Sequence, residues 1–239
     1  ILDSISEDKE AMKFYIAYKV NLLWKSAFVD EAKTISEVEK KGKTGNKFRD
    51  AVTDKFLKDY YNTKKIKIPK GYSFKNPKTN ELISPFLMQS YCTYKIKNDF
   101  NFGNFSGTGA GKTLSAILAS RVINSKLTLI VCPNDVVEHW TKNILEIFPN
   151  SKIITGNEVF DAKYDEDSFQ YLVLNYDKLN QANSPNLVLK LIKQKIDYVV
   201  LDEIHFTKIR GKTVGVRREN LDGLMSYARK KNPDIRVLG

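Results

Sequence analysis

A short glycine-rich segment constrains the fold of this chain more than any other feature. It has the sequence Ser-Gly-Thr-Gly-Ala-Gly-Lys-Thr over residues 106–113, and an apolar helical pattern follows over residues 114–124. Glycines let backbone N–H groups surround phosphate oxygens, and the positive end of the following helix faces the same anion. A lysine and a hydroxyl at the helix start can reach the β- and γ-phosphates and hold Mg²⁺. We therefore predict a nucleotide-binding loop made by Gly107, Thr108, Gly109, Ala110, Gly111, Lys112 and Thr113.

A second candidate element is an apolar stretch that ends in two carboxylates, Asp202 and Glu203, with His205 close behind. Ligands collect at the carboxyl ends of strands in open α/β sheets. There Asp202 can hold Mg²⁺, and Glu203 can polarise the water that attacks a γ-phosphate. An acidic pair after a strand is by itself only a loop start, but together with Lys112 it predicts the second half of a nucleotide site. A lone histidine at such a place is more often a surface residue, so His205 gains meaning only from the Asp-Glu-x-His pattern.

Strand and helix patterns alternate from Phe86 onward, which predicts a doubly wound α/β domain with a parallel sheet and helices on both faces. Continuous apolar runs predict strands buried on both sides. The predicted strands are 127–132, 152–155, 171–175, 198–202 and 236–238. The predicted helices between them are 113–124, 135–148, 186–195 and 220–231.

The chain divides into three predicted regions. Residues 1–61 carry amphipathic patterns over 11–32 and again around Phe48 and Phe56, which predicts a helical accessory region. Residues 62–85 hold three prolines and many lysines, which predicts a linker. Residues 86–239 form the predicted α/β lobe.

Composition narrows the class of protein. Of the 239 residues 42% are hydrophobic and 28% charged, which is typical of a globular chain. The net charge of +11 favours a polyanionic partner, although a general bias toward lysine-rich composition is the alternative source of that charge. Two cysteines without a CxxC pair argue against a disulfide scaffold or a structural zinc site. The chain lacks an apolar run long enough to span a membrane, and we expect a cytoplasmic protein.

These segments resemble the motifs of superfamily 2 helicases and translocases. The Thr-Gly-Ala-Gly-Lys-Thr and Asp-Glu-Ile-His sequences are similar to motifs I and II. Gln89 resembles the upstream glutamine that these proteins place near the adenine. The segment 129–133, which ends at Pro133 and is followed by Asn134 and by residues 136–140, resembles motif Ia, in which the family contacts the nucleic-acid backbone. The resemblance thus implies a RecA-like P-loop NTPase lobe that binds ATP and Mg²⁺, with Thr113 and Asp202 on the metal.

The resemblance extends to one branch of the superfamily. A strand followed by Asn-Tyr-Asp-Lys-Leu over 175–179, and Lys208 three residues after His205, are similar to the Swi/Snf-like pattern. This resemblance implies a motor that moves on DNA, above all on duplex DNA. Some bacterial or phage-encoded restriction and defence translocases share the same pattern, which implies restriction or defence subunits as partners. It also implies motif III just beyond Gly239 and a second RecA-like lobe of the same polypeptide. Because the chain begins at Ile1 and stops before that lobe, we expect a fragment that hydrolyses ATP poorly.

Two further features leave alternatives open. The segment 204–218 is basic and free of acids, so Lys208 and Arg210 are candidate contacts to DNA phosphates, or members of a solvated mobile loop. The tryptophans, Trp24 and Trp140, are interpreted as core or interface packing residues rather than as platforms on which bases stack. Two other functions compete with a DNA translocase: a nucleotide-gated assembly module that does not translocate, and an RNA helicase.

Overall fold

The computed structural model describes residues 31–107, 109–207 and 215–239. The predicted helix over 11–32 therefore lies outside the described residues apart from its last two positions. Three candidate site residues, Thr108, Lys208 and Arg210, also lie outside them.

Six parallel strands make one sheet in the described part of the chain. The strands are β1 Asn101–Phe102, β2 Leu127–Cys132, β3 Ser151–Thr155, β4 Phe169–Asn175, β5 Tyr198–Leu201 and β6 Arg236–Leu238. Their order across the sheet is β1-β6-β5-β2-β4-β3. Because every strand runs the same way, the loops that follow them gather at a single edge. The predicted α/β fold class is confirmed.

Seven α-helices surround the sheet within the described ranges. They are α1 Glu31–Lys41, α2 Lys47–Lys64, α3 Leu87–Asn98, α4 Lys112–Val122, α5 Val137–Ile147, α6 Ser184–Leu191 and α7 Val216–Lys231. The predicted helix 135–148 is a 3-10 turn, Asn134–Val136, followed by α5. Helix α6 starts two residues before its predicted start and ends at Leu191, and Pro185 sits in its first turn, where proline's missing N–H costs nothing.

Side chains of the central strands alternate between two apolar cores, one on each face of the sheet. On one face Ile130, Val173 and Val200 pack against α3, α4 and α5, together with Ile117 and Ile144. On the other face the neighbouring strand residues pack against α6 and α7. The strand residues are Leu129, Leu172 and Val199, and the helices contribute Leu187 and Leu224. Burial on both sides explains the unbroken apolar sequence of these strands.

The N-terminal helix α2 packs on α3, the helix that leads into the α/β lobe. Its residue Asp59 is only 8% exposed and accepts a 3.5 Å hydrogen bond from the Tyr94 hydroxyl. The segment after α2 is irregular but attached to the lobe, since Ser73 N donates to Ile147 O at 2.8 Å and Tyr72 lies edge-on to Phe148. Residues between the predicted accessory region and the predicted lobe are thus held against the sheet domain.

Among the described residues, no helix is both long enough and apolar enough to cross a membrane.

Candidate nucleotide site

The glycine-rich loop connects β1 to α4 at the carboxyl edge of the sheet. Gly109 and Gly111 have positive φ angles of 77° and 76°, a backbone conformation that side-chain-bearing residues rarely adopt. A Cβ atom at Gly111 would lie 2.2 Å from the side-chain nitrogen of Gln89. Glycine is therefore required here both by the backbone and by the close approach of Gln89.

Gln89, predicted to lie near the adenine, is buried against this loop. Its Oε1 accepts a 2.8 Å hydrogen bond from the backbone N–H of Phe86, at the start of α3. Its side-chain nitrogen faces Gly111. The structure thus brings Gln89 and the phosphate loop together, with the glutamine fixed at one end by its own helix.

Lys112 folds back over the loop. Its Nζ donates to the backbone oxygen of Ser106 at 3.2 Å. Ser106 in turn donates through its N–H and its hydroxyl to the side-chain oxygen of Asn104, at 3.2 and 2.6 Å. Among the described residues the ammonium group is therefore held at the mouth of the loop by one neutral acceptor, which an anionic phosphate can replace.

The start of α4 supplies further donors. Its N-cap is Gly111, and no side chain of the described residues caps the helix. The first N–H groups of a helix have no partner inside it, so these amides, together with Lys112 and Thr113, face the loop as an anion site. A left-handed glycine loop, a lysine at its mouth and an uncapped helix end fit a nucleotide phosphate.

Asp202 follows the last residue of β5, at the same edge of the sheet. Its N–H donates to Val131 O at 2.9 Å, which extends the pairing of β5 with β2 by one bond. Its Oδ2 accepts a 2.9 Å hydrogen bond from the indole N–H of Trp140, and its carbonyl oxygen accepts a 2.8 Å bond from the Tyr176 hydroxyl. Two of these contacts hold the main chain of Asp202, and the bond from Trp140 holds its carboxylate.

Glu203 and His205 form a more exposed pair beyond Asp202. Glu203 is a non-glycine residue with a positive φ of 52°. His205 Nδ1 lies 3.1 Å from Glu203 Oε2, and the two side chains are 54% and 47% exposed. A left-handed carboxylate residue is costly, and such strain is a feature of functional turns. Both side chains are free to meet a ligand at the sheet edge.

The loop and the acidic turn are joined through the end of β6. Asn104 N donates to Gly239 O at 2.7 Å, and Gly239 N donates to Phe102 O at 3.0 Å. A Cβ at Gly239 would lie 3.2 Å from the Ile204 side chain, so Gly239 also touches the turn after Asp202. Strand β6 thus separates β1 from β5 in the sheet but links the loops that follow them.

The pKa values of two neighbouring groups, the Cys132 thiol and the Tyr176 hydroxyl, are raised in part by the charge of Asp202. Burial raises the pKa of the Cys132 thiol to about 12, with the charges of Asp202 and Asp135 as smaller causes of the same shift. Burial also raises the pKa of the Tyr176 hydroxyl, with the Asp202 charge the next cause. Both groups therefore stay neutral at neutral pH, and Tyr176 keeps the proton that it donates to Asp202.

Pro133 and Asn134, the candidate nucleic-acid contacts, lie in the loop after β2. Asn134 is exposed, and its Oδ1 accepts a 2.7 Å hydrogen bond from Asn175 Nδ2 at the end of β4. The same edge of the sheet therefore presents this loop beside the acidic turn. The other two candidates, Lys208 and Arg210, lie outside the described residues.

Trp140 and Tyr176 are site residues that sequence reasoning missed. Trp140 was expected only to pack, and it is 2% exposed, yet its polar N–H reaches Asp202. A buried indole N–H needs an acceptor, and this rule is the signal that was available. For Tyr176 the signal was its position directly after an apolar predicted strand, since side chains that follow parallel strands gather at one edge of the sheet.

No group of three or more His, Cys, Asp or Glu side chains could hold a metal ion in the part of the chain that the structure describes. Mg²⁺ is commonly held by one or two carboxylates together with substrate phosphates and waters. Asp202, held in place with its Oδ1 free of hydrogen bonds from described residues, fits that mode of binding.

No curated protein matches the chain. Among solved structures, the chain is similar to the Sulfolobus solfataricus SWI2/SNF2 ATPase core in complex with dsDNA, at 16% sequence identity and a TM-score of 0.48. That alignment covers 72% of this chain and 34% of the other, so this chain spans about a third of that protein.

A family model described as type III restriction enzyme, res subunit, matches residues 78–223, which is more than half of the chain. The matched range contains Gln89, the glycine-rich loop, Asn134 and the acidic turn at Asp202. The chain therefore belongs to the family of the type III restriction enzyme res subunit, as a superfamily 2 first RecA-like lobe.

Proposed function

We propose that this chain is the ATP-binding first lobe of a DNA translocase or helicase that acts in restriction or phage defence. Membership of a helicase family implies nucleotide use in general, typically with Mg²⁺. One observation carries the finer proposal: the lysine-bearing loop and the Asp202 turn lie at one sheet edge and are joined through Gly239.

The phosphate-binding roles follow from the donors present. The N–H groups of the loop and of the first turn of α4 would bind the β- and γ-phosphate oxygens, and Lys112 would exchange its bond to Ser106 O for one to phosphate. Gln89 would orient the adenine end. Gly107, Gly109 and Ala110 would let the backbone approach closely.

The hydrolytic roles are proposed for the acidic turn. Thr113 and Asp202 would hold Mg²⁺, which neutralises charge on the phosphates when it is bound with the nucleotide. Glu203 would orient the attacking water and accept its proton. His205, 3.1 Å from Glu203, would couple that carboxylate to the nucleic-acid side of the lobe.

DNA is the proposed track. The net charge of +11 supports a polyanionic partner, and phosphate contacts independent of base sequence suit a motor that moves along DNA. Pro133, Asn134, Lys208 and Arg210 are the proposed contacts. A second RecA-like lobe of the same polypeptide would supply an arginine finger, and the two lobes would close on ATP and open after hydrolysis.

The domain division stays a prediction: an accessory helical region over 1–61, a linker over 62–85 and the motor lobe over 86–239. Cytoplasmic localisation and partnership with restriction or defence subunits stay predictions as well. The packing of α2 on α3 supports an accessory region that moves with the lobe.

Steady-state ATP hydrolysis of the whole protein tests the proposal. It is measured without nucleic acid and with duplex DNA, single-stranded DNA or RNA, for the wild type, Lys112→Ala and Lys58→Ala. Lys58 is an exposed lysine of α2, away from the site, and serves as the matched control. We expect duplex DNA to stimulate the wild type and the control, and Lys112→Ala to lose roughly 10²-fold or more of the rate.

Other outcomes separate the competing functions. Stimulation by RNA alone would contradict the DNA track and favour an RNA helicase. Nucleotide binding without stimulation by any polymer would favour the nucleotide-gated assembly module. Undiminished hydrolysis by Lys112→Ala would contradict the assigned nucleotide site itself.

A further inference from the structure

A buried indole group supports the carboxylate of the acidic turn. Trp140 lies on α5, is 2% exposed, and donates its N–H to Asp202 Oδ2 at 2.9 Å. Within the described ranges this is the one hydrogen bond to that carboxylate from another side chain. An indole N–H can only donate, so it binds the ionised form of the carboxylate and the form that holds a cation.

We propose that Trp140 is the positioning residue that aims Asp202 at Mg²⁺. A hydrogen bond to Oδ2 fixes the rotation of the carboxylate and leaves Oδ1 directed away from the indole, available to the metal or to its waters. Outer partners of this kind fix metal ligands in other proteins, and their loss typically lowers metal affinity 10- to 100-fold. The inference rests on the proposed nucleotide site.

Two features of the surroundings support a positioning role in addition to packing. The Trp140 ring belongs to the same apolar core as Ile144 and Ile147, so its place does not depend on Asp202. The main chain of Asp202 is fixed separately, through Val131 O and the Tyr176 hydroxyl. The main-chain contacts leave the carboxylate free to rotate, and the indole N–H therefore sets its orientation.

The bond also connects the two proposed sites of the lobe. Trp140 is in the first turn of α5, which follows Pro133 and Asn134 by way of a 3-10 turn. A shift of that loop on a DNA backbone would move α5 and with it the donor to Asp202. The Trp140 bond thus lies between the proposed DNA contacts and the proposed metal ligand.

The test compares Trp140→Phe with the wild type and with Trp24→Phe as the matched control, since the chain has two tryptophans. Binding of a fluorescent N-methylanthraniloyl ADP is followed while Mg²⁺ is titrated, and again in EDTA. We expect Trp140→Phe to need roughly tenfold more Mg²⁺ for half-saturation, while its affinity in EDTA and that of the control match the wild type. A purely structural role would leave the Mg²⁺ dependence unchanged.

A second measurement covers the case in which Trp140→Phe does not fold. In the 239-residue chain that carries Trp24→Phe, Trp140 is the remaining tryptophan, and the ¹H–¹⁵N position of its indole N–H resonance is recorded with ADP in EDTA and with ADP and Mg²⁺. We expect the resonance to shift when Mg²⁺ is added and when Asp202→Asn is introduced. An indole resonance whose chemical shifts stay the same after both changes would overturn the inference.

The outcomes distinguish this inference from the proposed function. If the wild type binds the nucleotide with a clear Mg²⁺ dependence and Trp140→Phe behaves identically, the positioning role is wrong and the nucleotide site stands. If the wild type binds no nucleotide, the proposed function is wrong and the positioning role is wrong with it.

Discussion

The two ends of strand β5 carry an aspartate each, and they are held in opposite ways. At the amino end, Asp197 Oδ2 accepts from the N–H groups of Lys126 and Leu127 at 2.8 and 3.1 Å, and its Oδ1 accepts from Asn232 at 3.2 Å. At the carboxyl end, Asp202 accepts one bond from Trp140, on Oδ2. The first carboxylate is saturated by its own fold, while the second keeps an oxygen for a ligand.

The comparison shows that an aspartate finds different hydrogen-bond donors at the two edges of a parallel sheet. Neighbouring strands begin at the amino edge, so their first N–H groups are available to Asp197, which ties β2 to β5. At the carboxyl edge the available backbone groups are mostly carbonyls, which cannot donate to a carboxylate. Asp202 therefore depends on side-chain donors, and fewer of them reach it.

The largest expected difference comes from the matched pair Asp202→Asn and Asp197→Asn. Asp202→Asn should lower ATP hydrolysis by roughly 10²–10³-fold and change the free energy of unfolding by less than about 0.5 kcal/mol. Asp197→Asn should cost about 1–3 kcal/mol of stability, because charge-assisted bonds to backbone amides are lost, and leave hydrolysis by the folded protein intact. Denaturant unfolding and ATPase rates measure both. Equal losses of unfolding free energy in the two variants would contradict the claim that the two carboxylates are held differently.

The variants Glu203→Gly and Glu203→Ala test the left-handed backbone conformation of the turn that follows β5. Both variants lack the carboxylate, and we expect both to lose hydrolysis by roughly 10²-fold or more. Because φ is 52° at this position, the glycine variant should be more stable than the alanine variant by about 1 kcal/mol, as measured by urea unfolding. An alanine variant as stable as the glycine variant would show that the turn is not left-handed in solution.

Tyr176→Phe should have the smallest effect. The change removes the hydroxyl that donates to Asp202 O and keeps the ring, which stacks on Phe206 at a centroid distance of 5.8 Å. We expect a loss of about 1 kcal/mol in unfolding free energy and a decrease of only a few-fold in hydrolysis. Tyr164→Phe is the control, since that hydroxyl makes no hydrogen bond to described residues. A Tyr176→Phe variant that matches this control in both assays would contradict the proposed support of Asp202.

Much of the fold could be predicted from the sequence because its central strands are buried on both faces. Strand β2 is apolar at nearly every position, and its predicted bounds agree with those of the structure. Helix α3 and strand β1 were not predicted. The strand is two residues long, and the helix buries Gln89 and Thr93 among its apolar residues, which removes the contrast that reveals an amphipathic helix.

In the candidate site, too, some features could be predicted from the sequence and others could not. The loop before Lys112 and the Asp202 turn are local motifs, so their residue types and spacing were enough to predict them. The bond from Trp140 to Asp202 joins residues 62 positions apart and depends on which face of the sheet α5 covers. Neither the register of the strands nor the side chosen by α5 follows from one sequence.

The most direct test of the nucleotide site is the thermal stability of the protein with ADP, in Mg²⁺ and in EDTA, for the wild type and for Lys112→Ala. A ligand at 100 times its Kd stabilises the folded state by about 2.7 kcal/mol. We predict that ADP with Mg²⁺ raises the Tm of the wild type more than ADP in EDTA does, and that Lys112→Ala loses most of this rise. A rise of equal size in both proteins, or none in the wild type, would contradict a nucleotide site between the glycine-rich loop and Asp202.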